Sequence, residues 1–128
     1  MQQPKVQMFQ LAHDRAVGTI GYLSAFIPVG NPHADLAAAL HLDVILVIAN
    51  RLGCINSTLL SIDYATRRSL RVAGYILNDT EPVSSAACRT NAASLKHLTE
   101  VPALGTVRYK EPLPLEIVKN VLRSFPPL

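Results

Sequence analysis

Asp43–Asn56 reads DVILVIANRLGCIN, and its two halves follow different patterns. Val44 to Ile48 is an unbroken aliphatic run, too short for a typical helix and without the alternation of a half-exposed strand. It predicts a central parallel strand covered on both faces. Asn50, Arg51, Leu52 and Gly53 interrupt the run, and from Ile55 the apolar residues Ile55, Leu59, Leu60 and Ile62 recur at helical spacing. The unit is therefore strand, turn, helix. A helix N-terminus just beyond the carboxyl end of a parallel strand presents unpaired backbone N–H groups and the positive end of its dipole, so it favours anions. Gly53 lets the backbone come close to a ligand, and Asn56 and Ser57 can cap the helix or reach the same ligand. The plainer alternative is that Gly53 supplies only a tight turn and Asn56 only a cap.

Downstream, Arg71–Leu77 (RVAGYIL) predicts a second buried strand, with Asn78, Asp79, Thr80, Glu81 and Pro82 as the loop beyond its carboxyl end. Ser84 or Ser85 can cap a helix running to about Leu98, whose last turn carries Lys96 and His97 as the dipole favours. Pro102 to Val107 reads as a third strand, Arg108 to Pro114 as a loop, and Leu115, Val118, Val121 and Leu122 as the apolar face of a final helix that stops before Pro126. Upstream, Asn31 and Pro32 form a cap and first-turn proline for a short helix through Leu36 and Leu40, with Asp35 in its first turn. Ala16 to Val29 suits a strand entering a glycine-containing loop, and Met1 to Gln10 a short strand or irregular arm. The alternation predicts an α/β domain of three layers, a parallel sheet with helices on both faces and right-handed crossovers. Ligands bind such sheets outside the carboxyl ends of the strands, here Asn50–Asn56, Asn78–Glu81 and Arg108–Glu111.

The 128 residues suffice for one domain over 1–128, burying roughly two-thirds of the unfolded surface without staples. An apolar fraction of 49% and a charged fraction of 16% exclude a disordered chain, and the absence of Trp predicts an aliphatic core. Net charge is only +3, and the one basic cluster, Arg67, Arg68 and Arg71, falls where the predicted helix ends. Stabilisation by the helix dipole accounts for it better than a nucleic-acid patch. Cys54 and Cys88 form neither a disulfide framework nor a zinc pattern, which favours a reducing, cytoplasmic setting. Ile20 to Val29 is too short and interrupted to span a bilayer, and Lys5 is the only Lys or Arg before Arg15, so no membrane anchor or signal peptide is expected. His13, His33, His41 and His97 lack ligand spacing and read as surface or helix-end residues. Cys54, at a helix N-terminus, is a conceivable nucleophile, but no His lies near it in sequence. Asp79 and Glu81 either pair as carboxylates or, in a loop after a strand, shape their turn or contact a ligand.

Four stretches, ADL at Ala34 to Leu36, VILVIANRLGCIN, VAGYILND and PALGTVRYK at Pro102 to Lys110, follow one another as in dethiobiotin synthetase. RLGCIN is the most specific of them. The resemblance covers residues 28–110, is similar to the C-terminal half of that enzyme, and leaves 1–27 as a divergent arm or strand and 111–128 as a C-terminal helix. It implies a partial P-loop-NTPase-like domain. The family is a homodimeric, ATP- and Mg2+-dependent ligase of biotin synthesis that carboxylates 7,8-diaminopelargonate; a mixed carbamic–phosphoric anhydride then closes to the cyclic urea. By resemblance, Gly53, Cys54, Ile55 and Asn56 form the turn whose N–H groups hold the substrate carboxylate at the dimer interface. Asn78 and Asp79 match the positions that contact adenine, and Arg108, Tyr109 and Lys110 the segment beside the base. No catalytic residue and no metal ligand falls on a matched position.

The sequence also departs from the family. The phosphate loop G-x-x-x-x-G-K-[ST] has no counterpart, since no glycine here is followed by Lys. The N–H donors, the lysine and the Mg2+-binding hydroxyl of that loop are thus missing from this chain. The family's E-G-A-G-G motif aligns near Gly18 to Gly21, which puts Val17 where a magnesium-binding glutamate belongs, and valine cannot ligate a hard cation. Arg108 stands where proline is usual, and Ser57 where histidine is common. The expectation is a dethiobiotin synthetase-like protein with little or no turnover alone. The alternative is a non-catalytic dimerisation or ligand-binding module, or the remnant of a broken gene. An unpaired sheet edge would favour self-association.

Overall fold

The computed structural model describes residues 7–11, 15–21, 32–82 and 85–125. Its strands are β1 (Gln7–Leu11), β2 (Arg15–Gly21), β3 (Val44–Ala49), β4 (Val72–Asn78) and β5 (Ala103–Val107). The helices are α1 (Pro32–Ala39), α2 (Cys54–Arg67), α3 (Ala86–Leu98) and α4 (Leu115–Ser124). The aliphatic run of Asp43–Asn56 forms β3, the middle of a five-stranded sheet of order β1-β2-β3-β4-β5. β2 through β5 pair in parallel, while β1 turns back antiparallel on β2 with Leu11 opposite Arg15.

The parallel strands follow one another without reversal, so crossovers of one hand put α1, α2 and α3 on the same face. There Ala34 and Ala37 of α1, Cys54 and Ala65 of α2 and Leu95 of α3 pack on Val44, Leu46, Ile48, Tyr75 and Leu77. On the other face Ile45, Ala73 and Leu104 are covered by Val121 and Phe125 at the end of α4. The three layers predicted from the sequence are present, with β3 buried from both sides.

Two predicted apolar faces need correction. α2 buries Cys54, Thr58, Ser61 and Ala65, while Ile55 and Ile62 are half-buried and Leu60 is exposed. Thr58 and Ser61 tolerate burial because their hydroxyls donate to Cys54 O (2.6 Å) and Ser57 O (2.8 Å). Small side chains here let α2 lie close to the sheet, and apolar spacing alone does not register them. On α4 the buried residue is Ile117, whereas Leu115, Val118 and Leu122 face outward. Gly105 fixes that choice: a Cβ there would stand 2.5 Å from Ile117 Cγ1, so Ile117 occupies the space a side chain would fill.

The expected caps fare differently. Ser85 caps α3, accepting from Cys88 N at 3.2 Å. Asn31 and Ser84 lie outside the described residues. The N-cap of α2 is Gly53 rather than Asn56 or Ser57: Asn56 is already helical and exposed, and the Ser57 hydroxyl turns back to Gly53 O at 3.3 Å. Among the described residues, no helix is long and apolar enough to cross a membrane.

Candidate functional site

The carboxyl ends of β3, β4 and β5 lie level. Ala49 is opposite Asn78, and Asn78 opposite Val107, so the segments leaving all three strands emerge at one sheet end. The ladder continues one residue past the strands, with Asn50 N donating to Asn78 O and Asp79 N donating to Val107 O, both at 2.8 Å. The turn after β3, the loop after β4 and the segment after β5 are thereby neighbours.

Gly53 adopts φ +87° at the head of α2, and among the described residues no side chain caps the helix. Cys54 N donates to Arg51 O at 3.1 Å, and the first backbone bond of the helix runs from Ser57 N to Gly53 O at 3.3 Å. The N–H groups of Ile55 and Asn56 precede that bond and are without a side-chain cap, which is the arrangement that attracts an anion. Among the described residues, no atom beyond Gly53's chain neighbours lies within 4 Å of where its Cβ would stand, so glycine is required by conformation while the approach stays open. Leu52, beside it, is 85% exposed. Cys54 itself points inward. Burial pushes its thiol up, outweighing the lowering by its hydrogen bond to the Arg51 backbone. The activated thiolate conceivable at a helix N-terminus is thus replaced by a protonated core thiol.

Behind the turn lies a buried polar network. Asn50 Nδ2 donates to Asp79 Oδ1 (2.7 Å) and to Cys88 O (3.1 Å), and Asn50 Oδ1 accepts from Asn91 Nδ2 (2.9 Å). Asn91 Nδ2 also reaches Arg51 O at 3.1 Å, and Cys88 Sγ donates to Asn50 O at 3.2 Å. The Asp79 side chain is 1% exposed, and its second oxygen accepts from Arg108 Nη1 at 3.3 Å. Glu81 is exposed, so Asp79 pairs with Arg108 and not with a second carboxylate. Asn78 is half-buried, and Arg108, Tyr109 and Lys110 are exposed. Lys110 has φ +55° and sets its Nζ 5.2 Å from the centroid of the Tyr109 ring.

Gly53 to Asn56 thus head one helix, and Asn78, Asp79 and Arg108 gather at the same sheet end. Sequence reasoning placed Asn50 only within the strand-end segment Asn50–Asn56 and gave Asn91 no role. The available signal was Asn91 standing one turn from Leu95 on the buried side of α3, where a polar residue needs a partner. The arginine cluster is engaged locally: Arg67 with Asp63, Arg68 over the Tyr64 ring, and Arg71 with Asp43 and Ser124 O.

A family model described as an AAA domain matches residues 16–116. An ATP-dependent dethiobiotin synthetase of Anaeromyxobacter dehalogenans (strain 2CP-1) is 43% identical over 83 residues, 65% of this chain and 33% of the relative. That of Halalkalibacterium halodurans is 32% identical over 122 residues, 93% of this chain and 50% of the relative. The chain belongs to the AAA domain family, in its dethiobiotin synthetase group. A third such synthetase, from Aromatoleum aromaticum, is 40% identical over 83 residues, covering 63% of this chain and 36% of its own length. The chain spans a third to a half of the length of these dethiobiotin synthetases.

Among the described residues no group of three or more His, Cys, Asp or Glu could hold a metal ion, and the one buried carboxylate at the site, Asp79, has each oxygen accepting from Asn50 or Arg108. Val17, which the resemblance alone sets at the family's glutamate position, lies in β2 opposite Phe9.

Proposed function

We propose that this chain serves dethiobiotin formation as the portion of the synthetase that holds the substrate carboxylate and the nucleotide base. The carboxylate of 7,8-diaminopelargonate sits at the Gly53–Asn56 turn, on the N–H groups at the head of α2. ATP lays its adenine beside Asn78, with Asp79 behind it and Arg108, Tyr109 and Lys110 flanking. The observation that carries this reading is the uncapped helix head at Gly53, open on its outer side and level with the loops after β4 and β5. In the family the reaction is Mg2+- and ATP-dependent carboxylation and ring closure. The sequence holds no phosphate loop and the described residues hold no metal ligand set, so on this reading the chain binds without turning over by itself. A homodimer through the turn is part of the same reading, supported by the exposed Leu52 and by Leu60, which is 39% exposed on α2.

Calorimetry tests the carboxylate site. Diaminopelargonate should bind and its methyl ester should not, because esterification removes the charge that the helix head recognises. Equal binding of acid and ester would refute the assignment. Incubation of the chain alone with diaminopelargonate, bicarbonate and Mg-ATP should form no dethiobiotin, and turnover on the order of 1 per second would overturn the division of labour. Sedimentation of the unaltered chain and of Leu52→Asp tests the dimer: the first should be dimeric and the second monomeric.

A further inference from the structure

We propose that Asn50 is a positioning residue, a single joint that holds the candidate carboxylate turn and the candidate nucleotide loop in fixed relation to each other. Its backbone extends the ladder to Asn78 and accepts from Cys88 Sγ. Its side chain, on a residue only 6% exposed, donates to Asp79 and to the carbonyl of Cys88 and accepts from Asn91. Asn91 in turn holds Arg51 O, the carbonyl to which Cys54 N also donates at the entrance to α2. One amide therefore connects the residue that sets the helix head to the residue that sets the loop after β4, with Arg108 closing the outer side.

Asn is suited to this place because it both donates and accepts, and its neighbours demand both: a carboxylate and a carbonyl on one side, an amide N–H on the other. An apolar residue would leave Asp79 and Asn91 with unmet buried groups, and a carboxylate would face a second carboxylate. Cutting the joint should loosen both loops together while the strands behind them stay protected.

Native-state hydrogen exchange of the full chain, followed by NMR, reads this directly. Cys54 N–H reports on the turn and Asp79 N–H on the loop, while Tyr75 N–H, bonded to Pro102 O, and Leu70 N–H, bonded to Ala65 O, report on the scaffold. In Asn50→Leu, exchange at Cys54 and Asp79 should rise together by about tenfold more than at Tyr75 and Leu70, whose rates follow the stability of the whole domain. Acceleration of one reporter alone, or of all four equally, would overturn the proposal. Asn91→Leu keeps the Asn50–Asp79 bond and should speed Cys54 more than Asp79; the reverse order would count against the joint.

If Asn50→Leu does not fold, the reciprocal exchange decides. Asn50→Asp alone should be the worst variant, and combining it with Asp79→Asn should restore part of the protection at both reporters, because the 50–79 pair regains a donor and an acceptor while Cys88 O is left without its side-chain donor. Failure of the pair to improve on the single change would refute a direct link. For ligands the inference rests on the proposed function: diaminopelargonate and AMP should both bind more weakly in Asn50→Leu. If neither binds the unaltered chain, that function fails, and the exchange rates still decide the joint.

Discussion

Tyr75→Phe should make the protein more stable. Tyr75 stands in β4 between Leu46 of β3 and Ala103 of β5, is 1% exposed, and has a buried hydroxyl with no hydrogen-bond partner among the described residues. Burying a hydroxyl without a partner costs about 1 to 3 kcal/mol, and phenylalanine keeps the ring and its packing while removing that cost. A gain of about 1 kcal/mol is expected, which for a domain of this size raises the unfolding midpoint by about 4 °C. The pH dependence has a definite sign. Burial pushes the Tyr75 hydroxyl above its ordinary value of 10.0, so the folded state holds the proton more tightly than the unfolded chain. This contribution is complete below the unfolded value and is lost as pH rises through the folded one, so stability falls with alkalinity. Phenylalanine has no proton to lose, and the advantage of the variant should widen above about pH 10. Urea and thermal unfolding followed by circular dichroism at pH 7 and pH 10.5 measure both effects. A variant less stable than the parent at pH 7 would refute the reasoning, since it would mean that the hydroxyl has a partner whose loss matters.

Two glycines at positive φ should respond unequally to alanine. Gly105→Ala combines φ +144° with a Cβ 2.5 Å from Ile117 Cγ1, and should cost about 2 to 3 kcal/mol and lift α4, as read by urea unfolding. Gly53→Ala meets nothing within 4 Å and should cost only about 1 kcal/mol of backbone strain; the opposite order of costs would refute this assignment. Cys54 is buried and its thiol is raised from 9.0, so iodoacetamide at pH 7.5 should label the half-buried Cys88 first; equal labelling would contradict it. The same raised value means that the Cys54 contribution is present below about pH 9 and lost above it, so Cys54→Ala should flatten the alkaline fall in stability.

The layering was legible because β3 is an uninterrupted aliphatic run and the strands are separated by segments long enough for crossover helices. The level strand ends and the winding of α1 to α3 onto one face depend on sheet order, which no local pattern encodes. The buried faces of α2 and α4 were misread for a related reason. Apolar spacing rewards large side chains, whereas Ser61 and Ala65 are buried because α2 lies close to the sheet, and Leu115 and Leu122 are exposed because Gly105 draws Ile117 inward. At the site, Gly53 was legible as a turn residue and the turn itself through RLGCIN. Asn50 was not, since an asparagine after a strand looks like an ordinary loop entry until Asp79, 29 residues away in sequence, arrives beside it.

The network also divides the work within the candidate nucleotide loop after β4. By resemblance, both Asn78 and Asp79 would contact adenine, yet Asp79 turns its carboxylate inward to Asn50 and Arg108 and leaves 1% of its side chain exposed. A base reaching that carboxylate would have to displace Arg108, whose own side chain is 59% exposed and free to swing away, or Asn50, which is enclosed. Contact through Asn78 requires no such rearrangement, and its amide can donate to and accept from a ring edge. Within the proposed nucleotide site, Asn78 is thus the group that would meet the base, while Asp79 holds the loop in place through Asn50 and Arg108. Arg108 closes the network from the solvent side at a position where the family usually has proline, a residue with no side-chain donor to offer a buried carboxylate. The substitution and the network belong together: with proline at 108, Asp79 would keep only Asn50 as a side-chain partner, and its second oxygen would lose the cation that now covers it.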